Sequence, residues 1–235
     1  MTKDQYFAIA IDGPVSAGKG TVSKLVAQKM SFLYIDTGAM YRVAGLLAIE
    51  NNIDLSSEDE ISEILEKSTI EMRNPNENES DGRLTTVIVN GKDVSWKIRT
   101  EEMGKAASKV ATLKKVREVL VAKQQKIAKN QNVVMEGRDI AKRVLPSAQL
   151  KIYLTASELV RAKRRYLQYL TKGIDTSFEE VYEELLARDY QDSNRENDPL
   201  TIVPGAWVLD SSDLPIEKVV SAIIAKANSI RLTKS

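Results

Sequence analysis

Residues 6–21 read YFAIAIDGPVSAGKGT, and this stretch decides the fold. The unbroken apolar run Tyr6–Ile11 is typical of a strand that is buried on both faces, as in a parallel sheet. Asp12-Gly13-Pro14 ends the run. Apolar residues then recur at spacings of three and four, and this pattern predicts a helix that contains Val22, Leu25, Val26 and Met30.

The turn between this strand and this helix carries the pattern G-x-x-x-x-G-K, from Gly13 to Lys19. Its glycines let consecutive backbone N–H groups converge on one phosphate, the lysine reaches the β- and γ-phosphates, and the helix N-terminus adds partial positive charge. Gly20 stands where serine or threonine is commonest. The pattern predicts a P-loop rather than a plain glycine-rich turn, and its expected nucleotide-binding residues are Gly13, Pro14, Val15, Ser16, Ala17, Gly18, Lys19, Gly20 and Thr21.

Buried strands and helices alternate along most of the remaining chain. Short apolar runs predict strands at residues 32–35, 133–135, 150–154 and 206–209. Helical spacing predicts helices at 36–49, 158–172, 178–190 and 216–229, and two more between 101 and 129. We therefore expect an α/β fold of the P-loop NTPase type, in which helices flank a parallel five-stranded sheet.

The pattern changes between about residues 51 and 104. Strands are predicted at Ser68–Arg73 and Thr85–Asn90, with the polar stretch 74–83 between them. Asn90-Gly91 is a strong signal for a hairpin that leads into a further short strand. We interpret this region as a small antiparallel β insertion in a parallel-sheet domain.

The composition excludes several kinds of catalytic site. The 235 residues include no cysteine and no histidine, so a Cys/His zinc site, a thiol nucleophile, a Ser-His-Asp triad and a disulfide are all ruled out. With 34 Lys+Arg against 33 Asp+Glu, the formal charge of +1 argues against nucleic-acid binding through bulk charge. The sequence has no apolar stretch near the length of a membrane span and no signal-peptide core, so we expect a cytoplasmic protein.

Two further motifs follow predicted strands, at the sheet edge where ligands bind. The first, DTGAMYR at residues 36–42, opens a helix that Thr37 could cap. Arg42 could be a solvated charge, but beside a P-loop its planar fork suits a phosphate better. The second motif, GRD at residues 137–139, could form a local ion pair in a turn or could face the ligand.

Together with the P-loop, these motifs resemble those of bacterial cytidylate kinases. The likeness continues in family order through NGKDV (90–94), IRTE (98–101), AAS (106–108), VRE (116–118), GRD (137–139) and RDYQDSNR (188–195). It covers nearly the whole chain. The sequence departs from the family pattern at two places. The family commonly has aspartate at the position of Glu136, and the segment AKR at residues 141–143 is more basic than the family pattern.

The resemblance implies a kinase that transfers the γ-phosphoryl group of ATP to CMP or dCMP, with Mg²⁺. It also implies one domain over residues 1–235, with a core at 5–50, 105–160 and 200–230, an inserted acceptor-binding region at about 51–104 and a lid at about 158–198. We expect small-molecule partners alone, with no nucleic acid and no membrane, and a monomeric chain.

The same resemblance gives the site residues their expected roles. Arg42 and Arg138 hold the acceptor phosphate, and the base is read by Ser108, Arg117 and Asp139. In the lid, Asp192 accepts from the ribose hydroxyls. The expected catalytic residues are Lys19, Arg138, Arg188 and Arg195. The expected substrate-binding residues are Asp36, Thr37, Tyr41, Arg42, Ser108, Arg117, Arg138, Asp139, Arg188, Asp192 and Arg195; no side chain is assigned to a metal.

The absence of histidine is compatible with this chemistry. The acceptor is itself a phosphate with a second pKa near ~6, so no general base is required. Catalysis then depends on aligning the phosphates and neutralising charge on the transferred group.

Some alternatives stay open from the sequence. Arg161, Arg164 and Arg165 share one helical face, which is either a solvated or salt-bridged surface or part of a mobile cationic cover. The chain could also be a different small-molecule P-loop kinase, such as a shikimate or adenylate kinase. A nucleotide-sensing module without catalytic activity is the remaining alternative.

Overall fold

Five parallel strands form the central sheet of the computed structural model, which describes residues 6–233; residue 5, where the predicted core begins, lies outside this range. Numbered in chain order, the strands are β1 (Ala8–Asp12), β2 (Leu33–Asp36), β6 (Val133–Gly137), β7 (Leu150–Thr155) and β8 (Trp207–Asp210). Their order across the sheet is β2-β6-β1-β7-β8. The predicted α/β fold with a five-stranded parallel sheet is confirmed, with strand ends shifted by one or two residues.

Helices cover both faces of this sheet. On one face lie α1 (Lys19–Met30) and α8 (Ile216–Leu232), and on the other lie α2 (Thr37–Glu50), α4 (Glu101–Val110) and α5 (Lys114–Ala128). In β1, Ile9 and Ile11 join the core under α1, whereas Ala10 joins the core under α2. Both faces of the strand are buried, which is why its sequence is an unbroken apolar run. No helix within residues 6–233 is long and apolar enough to cross a membrane.

The register of three neighbouring strands brings acidic side chains to one edge of the sheet. Asp36 at the end of β2 lies opposite Glu136 on β6, and Asp12 at the end of β1 lies opposite Gly137. The P-loop, the DTGAMYR segment and the GRD segment all begin at this edge. Strand pairing therefore places the three motifs side by side.

The insertion contains the predicted antiparallel unit. Strands β3 (Ile70–Arg73), β4 (Thr86–Val89) and β5 (Lys92–Asp93) pair in chain order. Asn90 and Gly91 both have positive φ in the turn between β4 and β5, as the Asn-Gly signal predicts.

Helix α3 (Glu58–Lys67) in the insertion is an addition to the predicted elements. Its sequence carries the necessary signals. Three acidic residues occupy its first turn, where the helix dipole favours them, and Ile61 and Leu65 are buried at helical spacing.

The predicted lid region contains two helices that pack against each other, α6 (Glu158–Thr171) and α7 (Phe178–Asn194). Ser177 and Glu180 form a capping box at the start of α7. This helix continues four residues past its predicted end at Tyr190. Arg188 and Asp192 therefore lie one turn apart on a regular helix.

A single π-helical turn, Ile140–Val144, directly follows the GRD segment and was not predicted from the sequence. Asp12 stabilises the start of this π-helical turn. The two carboxylate oxygens of Asp12 accept hydrogen bonds from the N–H groups of Ile140 and Ala141, both at 2.8 Å. Burial raises the pKa of Asp12 to about 6 in spite of these bonds. Asp12 thus fixes the backbone that carries Arg138 and Asp139.

We expect Gly45→Ala to destabilise the protein. A Cβ atom at Gly45 would lie 2.7 Å from the Cβ of Ala106, where α2 meets α4. Overpacking costs about 1–3 kcal/mol, which exceeds the ~1 kcal/mol that alanine gains over glycine in a helix. The midpoint of thermal unfolding should therefore fall.

Gly104→Ala on the facing helix is the matched control. The nearest atom to its new Cβ is the movable guanidinium end of Arg42, at 3.2 Å, so this variant should lose less stability. An unfolding midpoint for Gly45→Ala at or above that of the unmodified chain would contradict the expected close contact.

Candidate active site

Two cavities open at the carboxyl edge of the sheet. One, of about 530 Å³, is lined by P-loop residues 15–21 together with side chains from α6 and α8. The other, of about 230 Å³, is lined by residues from α2, α4, α5, β6 and α7. Three residues line both cavities: Asp36, Arg99 and Glu136. A ligand in each cavity would therefore meet the other ligand at these three side chains.

All eleven expected substrate-binding residues line the smaller cavity. Of the expected P-loop residues, 15–21 line the larger cavity, whereas Gly13 and Pro14 do not. Gly13 has a φ of 155°, and a Cβ atom there would lie 2.0 Å from the carbonyl oxygen of Leu154. Only glycine can occupy this position, where the loop crosses β7.

Lys19 is 5 % exposed, and its Nζ donates to the carbonyl oxygen of Pro14 at 2.8 Å. The ammonium group is thus held against its own loop. Burial lowers the pKa of Lys19, and the nearby Arg138 lowers it further. A phosphate anion in the larger cavity would reverse this effect, because it favours the charged lysine.

The P-loop is tied to the lid helices through Val15. Its N–H donates to Asp189 Oδ1 at 3.4 Å, and its carbonyl oxygen accepts from Arg161 Nη1 at 3.1 Å. Arg161 also donates to Asp189 at 2.5 Å and is 4 % exposed. Arg161 of α6 and Asp189 of α7 therefore hold the two peptide groups on either side of the Val15 Cα atom.

The three arginines on this face of α6 make different contacts. Arg161 forms a salt bridge, as one interpretation allowed, but the ion pair with Asp189 is buried against the P-loop and is not on a surface. Arg164 donates to the carbonyl oxygen of Ser211 at 2.7 Å, and Arg165 lies over the ring of Tyr169, 4.4 Å from its centroid. Arg164 and Arg165 line the P-loop cavity.

The start of α2 is capped by Asp36 rather than by Thr37. Asp36 Oδ1 accepts from the N–H of Ala39 at 3.1 Å, and Oδ2 pairs with Arg99 at 2.8 Å. The Thr37 hydroxyl instead donates to the carbonyl oxygen of Glu136 at 2.7 Å. This bond joins α2 to β6 beneath the point where the cavities meet.

Arg42 is attached to the insertion. Its Nη1 donates to the carbonyl oxygens of Ile98 and Thr100, at 3.0 and 2.9 Å. Burial and then the neighbouring Arg99 lower the pKa of Arg42 to about 10. These two hydrogen bonds orient the Arg42 guanidinium, which lines the smaller cavity. The position of Arg42 therefore depends on the segment that follows β5.

A buried network closes the far end of the smaller cavity. Arg117 forms an ion pair with Asp139 and a second one with Asp198 at 3.3 Å. Arg117 lies over the ring of Tyr41, 5.6 Å from its centroid. Burial raises the pKa of Asp139, while Arg117 opposes the rise. Burial raises the pKa of Tyr41 to about 12, so its hydroxyl stays protonated.

Helix α7 and the segment that follows it supply the opposite wall of this cavity. Arg138 pairs with Asp192 at 2.7 Å, and Ser108 donates to Gln191 at 3.2 Å. Arg195 Nε donates to the carbonyl oxygen of Asp198 at 2.7 Å. Two of these contacts, Arg138 with Asp192 and Ser108 with Gln191, join α7 to the core across the cleft.

Some buried guanidinium nitrogens in this cleft make no hydrogen bond within residues 6–233, although Arg195 lies 3.9 Å from Asp139. Buried nitrogens of Arg99, Arg188 and Arg195 lack a hydrogen-bond partner among the described residues. An unsatisfied buried donor costs about 1–3 kcal/mol, more for a charged group. Three such donors around one cleft indicate a site for an anion with several oxygens.

Several residues of the site were absent from the predicted set. Arg99 lies in the quoted IRTE segment, so its sequence signal was present without a role. Asp189 lies in the RDYQDSNR segment and holds the P-loop, and Gln191 holds Ser108. These contacts join positions more than 80 residues apart, and no local pattern in the sequence indicates them.

The chain is similar to known proteins over nearly its whole length. The cytidylate kinase family model matches residues 9–229. A cytidylate kinase from Caldanaerobacter subterraneus subsp. tengcongensis is 47% identical over 215 residues, which cover 92% of this chain and 92% of that protein. The one from Lactobacillus gasseri is 45% identical, over 92% of this chain and 91% of that protein.

A cytidylate kinase from Bacillus subtilis is 43% identical over 221 residues, which cover 94% of this chain and 96% of that protein. The match thus extends from the first strand of the sheet to the last helix and includes the P-loop and both further motifs. This chain belongs to the cytidylate kinase family.

Proposed function

We propose that this chain transfers the γ-phosphoryl group of ATP to CMP or dCMP, giving ADP and CDP or dCDP. Family membership supports the reaction class. The observation that carries the residue roles is the meeting of two cavities at Asp36, Arg99 and Glu136. One cavity suits the donor phosphates, and the other suits a second, phosphate-bearing nucleotide.

The donor binds along the P-loop. Its β- and γ-phosphates accept from the loop N–H groups and draw Lys19 away from the carbonyl oxygen of Pro14. Partial positive charge at the start of α1 adds to the attraction. No group has to remove a proton, because the acceptor phosphate is itself the nucleophile.

The acceptor binds in the smaller cavity. Arg42 and Arg138 hold its phosphate, and Asp192, released from Arg138, accepts from the ribose hydroxyls. Ser108 and Arg117 donate to the base, and Asp139 accepts from the cytosine amino group. Asp36, Thr37 and Tyr41 shape the same wall.

Arg188 and Arg195 neutralise charge on the transferred group. Both lie in the cleft with buried donor nitrogens that have no hydrogen-bond partner among residues 6–233. Their positive charge stabilises the transition state more than the ground state when negative charge develops on the equatorial oxygens. The closed lid keeps water from taking the place of the acceptor.

The residues at the junction of the cavities fit Mg²⁺. No group of three or more acidic side chains among the described residues could hold a metal alone. Mg²⁺ is commonly held by one or two carboxylates together with substrate phosphates and water, and Asp36 and Glu136 are carboxylates at that junction. When bound, the ion neutralises charge on the phosphates and aligns them.

The remaining expectations form part of the same proposal. Residues 51–104 act as the acceptor-binding insertion of a single domain, and residues 158–198 act as its lid. The chain works in the cytoplasm as a monomer with small-molecule partners, without nucleic acid or membrane. Neither alternative function is favoured, because the family match is to cytidylate kinases and a sensing module has no need of an arginine-rich second cavity.

The reaction is tested by ADP release in a coupled assay with CMP, dCMP, UMP, AMP, GMP and shikimate as acceptors. We expect CMP and dCMP to have the highest kcat/KM. Release that depends on AMP or shikimate instead would assign the chain to another kinase activity. Binding of ATP without release with any acceptor would indicate a sensing module.

Lys19→Met should lower kcat by about two to three orders of magnitude, as the loss of a transition-state donor does. Lys24→Met is the matched control, since Lys24 lies on the same helix and donates to the carbonyl oxygen of Arg83 at 3.1 Å. Its turnover should stay near that of the unmodified chain. If Lys19→Met and Lys24→Met have similar turnover, the P-loop assignment of Lys19 is wrong.

Asp139→Asn should narrow the preference for CMP over UMP. UMP presents a carbonyl where CMP presents its amino group, so an ionised carboxylate rejects UMP, whereas the asparagine amide can donate to it. We expect kcat/KM for CMP to fall by roughly ten- to a hundredfold and that for UMP to fall less.

Asp198→Asn is the control for this variant. Asp198 pairs with the same Arg117 but does not line the smaller cavity. The Asp198→Asn variant should leave the ratio of kcat/KM for CMP to kcat/KM for UMP unchanged. Equal losses for CMP and UMP in Asp139→Asn would mean that Asp139 does not discriminate between the bases.

Amide hydrogen exchange in residues 188–195 should slow when CMP and a non-hydrolysable ATP analogue bind together. The phosphates give the unpartnered donors of Arg188 and Arg195 their acceptors, and this stabilises the end of α7. Strand β1 is the internal control and should keep its exchange rates. Unchanged rates at 188–195 in a verified ternary complex would exclude a lid that responds to substrates.

A further inference from the structure

Arg117 is held by two carboxylates that stand in different places. Its Nη2 pairs with Asp139, its Nη1 donates to the carbonyl oxygen of Ala111 at 3.2 Å, and its Nε pairs with Asp198 at 3.3 Å. Asp139 lines the smaller cavity of the active site, whereas Asp198 does not. Asp198 lines a separate cavity of about 270 Å³, which Arg117 also lines. The guanidinium therefore has one acidic partner inside the acceptor cavity and one outside it.

The two carboxylates have different roles once a base is bound. In the proposed complex, Asp139 accepts from the cytosine amino group and is shared between the base and Arg117. Asp198 is out of reach of the base and stays with Arg117 alone. Arg117 is 2 % exposed, and a buried cation that loses its acidic partner is strongly destabilised. Asp198 is therefore the partner that can hold Arg117 in place while Arg117 donates to the base.

Asp198 is itself fixed by its neighbours. Its Oδ1 pairs with Arg143 Nε at 3.1 Å, and its carbonyl oxygen accepts from Arg195 Nε at 2.7 Å. Its φ of 50° is a left-handed conformation, which aspartate adopts more readily than most residues. Because one carboxylate oxygen is on Arg117 and the other on Arg143, the side chain cannot turn without breaking an ion pair.

Arg143 belongs to the basic stretch at residues 141–143, which departs from the family pattern. Its N–H donates to the carbonyl oxygen of Asp139 at 2.8 Å, and its own carbonyl oxygen accepts from Gln125 Nε2 at 3.2 Å. These two bonds fix its backbone in the π-helical turn. The side chain is 46 % exposed and reaches Asp198 without lining the smaller cavity. Arg143 can therefore affect the base only through Asp198.

We propose that Asp198 and Arg143 are positioning residues for recognition of the base. Arg143 orients the Asp198 carboxylate, and Asp198 holds the Arg117 guanidinium in the orientation in which it donates to the pyrimidine. The basic stretch thus acts on a site that its own side chains do not touch. This inference rests on the proposed binding of CMP in the smaller cavity.

The test compares CMP with ribose 5-phosphate, which has the sugar and the phosphate but no base. Calorimetry gives the affinity for CMP, and competition against CMP in the coupled assay gives the inhibition constant of ribose 5-phosphate. Asp198→Asn keeps the size of the side chain and removes its charge, so the affinity for CMP should fall about tenfold. The inhibition constant of ribose 5-phosphate should stay unchanged. CMP and UMP should lose equally, because Arg117 donates to a carbonyl that both bases carry.

Arg143→Ala should lower the affinity for CMP about threefold, since a partly exposed ion pair contributes less than a buried one. Arg143→Lys keeps a cation beside Asp198 and should lose less. In the Asp198→Asn background, Arg143→Ala should add little, because its partner is already neutral.

Lys142→Ala is the matched control. Lys142 is the neighbouring exposed residue, lines the same cavity of about 270 Å³ and forms no ion pair among residues 6–233. Its removal changes the net charge by the same amount as Arg143→Ala, and the affinity for CMP should stay unchanged. None of these residues lines the P-loop cavity, so the affinity for ADP should also stay unchanged and shows that each variant is folded.

Unchanged affinity for CMP in Asp198→Asn would overturn the proposal, as would equal losses for CMP and ribose 5-phosphate. Independent losses in the double variant, or a loss in Lys142→Ala as large as in Arg143→Ala, would do the same. If Asp198→Asn does not fold, Arg143→Ala decides by the same comparison, since its side chain is at the surface. These results reject the positioning role alone if the unmodified chain phosphorylates CMP; a chain that does not phosphorylate CMP fails the proposed function itself.

Discussion

Mutual repulsion of cations is the constraint on which this cleft depends. A site for two nucleotides needs several positive groups in one place, and two like charges 4 Å apart repel by about 4 kcal/mol at an effective dielectric constant of ~20. Carboxylates of the chain relieve part of this repulsion. The pairs are Arg99 with Asp36, Arg117 with Asp139, Arg138 with Asp192 and Arg161 with Asp189.

These pairs also define what a substrate does on binding. A phosphate that binds Arg138 competes with Asp192 for the same guanidinium, so binding is an exchange of anions rather than the filling of a bare cationic pocket. The carboxylate that is displaced then needs new donors, and the hydroxyl groups of a ribose are donors. In the proposed reaction, recognition of the sugar would follow from recognition of the phosphate, because both would depend on the ion pair of Arg138 and Asp192.

Much of the fold follows from local sequence patterns. The run at Tyr6–Ile11 and the Asn90-Gly91 signal each depend on residues next to one another, and the structure contains the strand and the hairpin that they predict. The motifs at strand ends and the family resemblance also named residues that line the smaller cavity, although their roles stay predictions. Helix α3 had adequate signals and was missed in a region interpreted as β structure.

The partners of the site residues could not be predicted in the same way. Thr37 was considered as a helix cap, and only the register of β2 against β6 brings it to the carbonyl oxygen of Glu136. Arg161 sits on a helical face that looks like surface in the sequence, and its burial depends on contact with a loop 146 residues earlier. Charged side chains are compatible with either environment, so their sequence spacing does not decide it.

The contact of Val15 with Arg161 and Asp189 has a thermodynamic consequence. Helix α7 carries Asp189 on one turn and Arg188 and Asp192 beside it, so the donor loop and the acceptor wall share a rigid element. A ligand that changes the position of α7 therefore changes the shape of both sites. If two nucleotides bind as proposed, linkage requires that any effect of one on the affinity for the other be reciprocal and of the same factor.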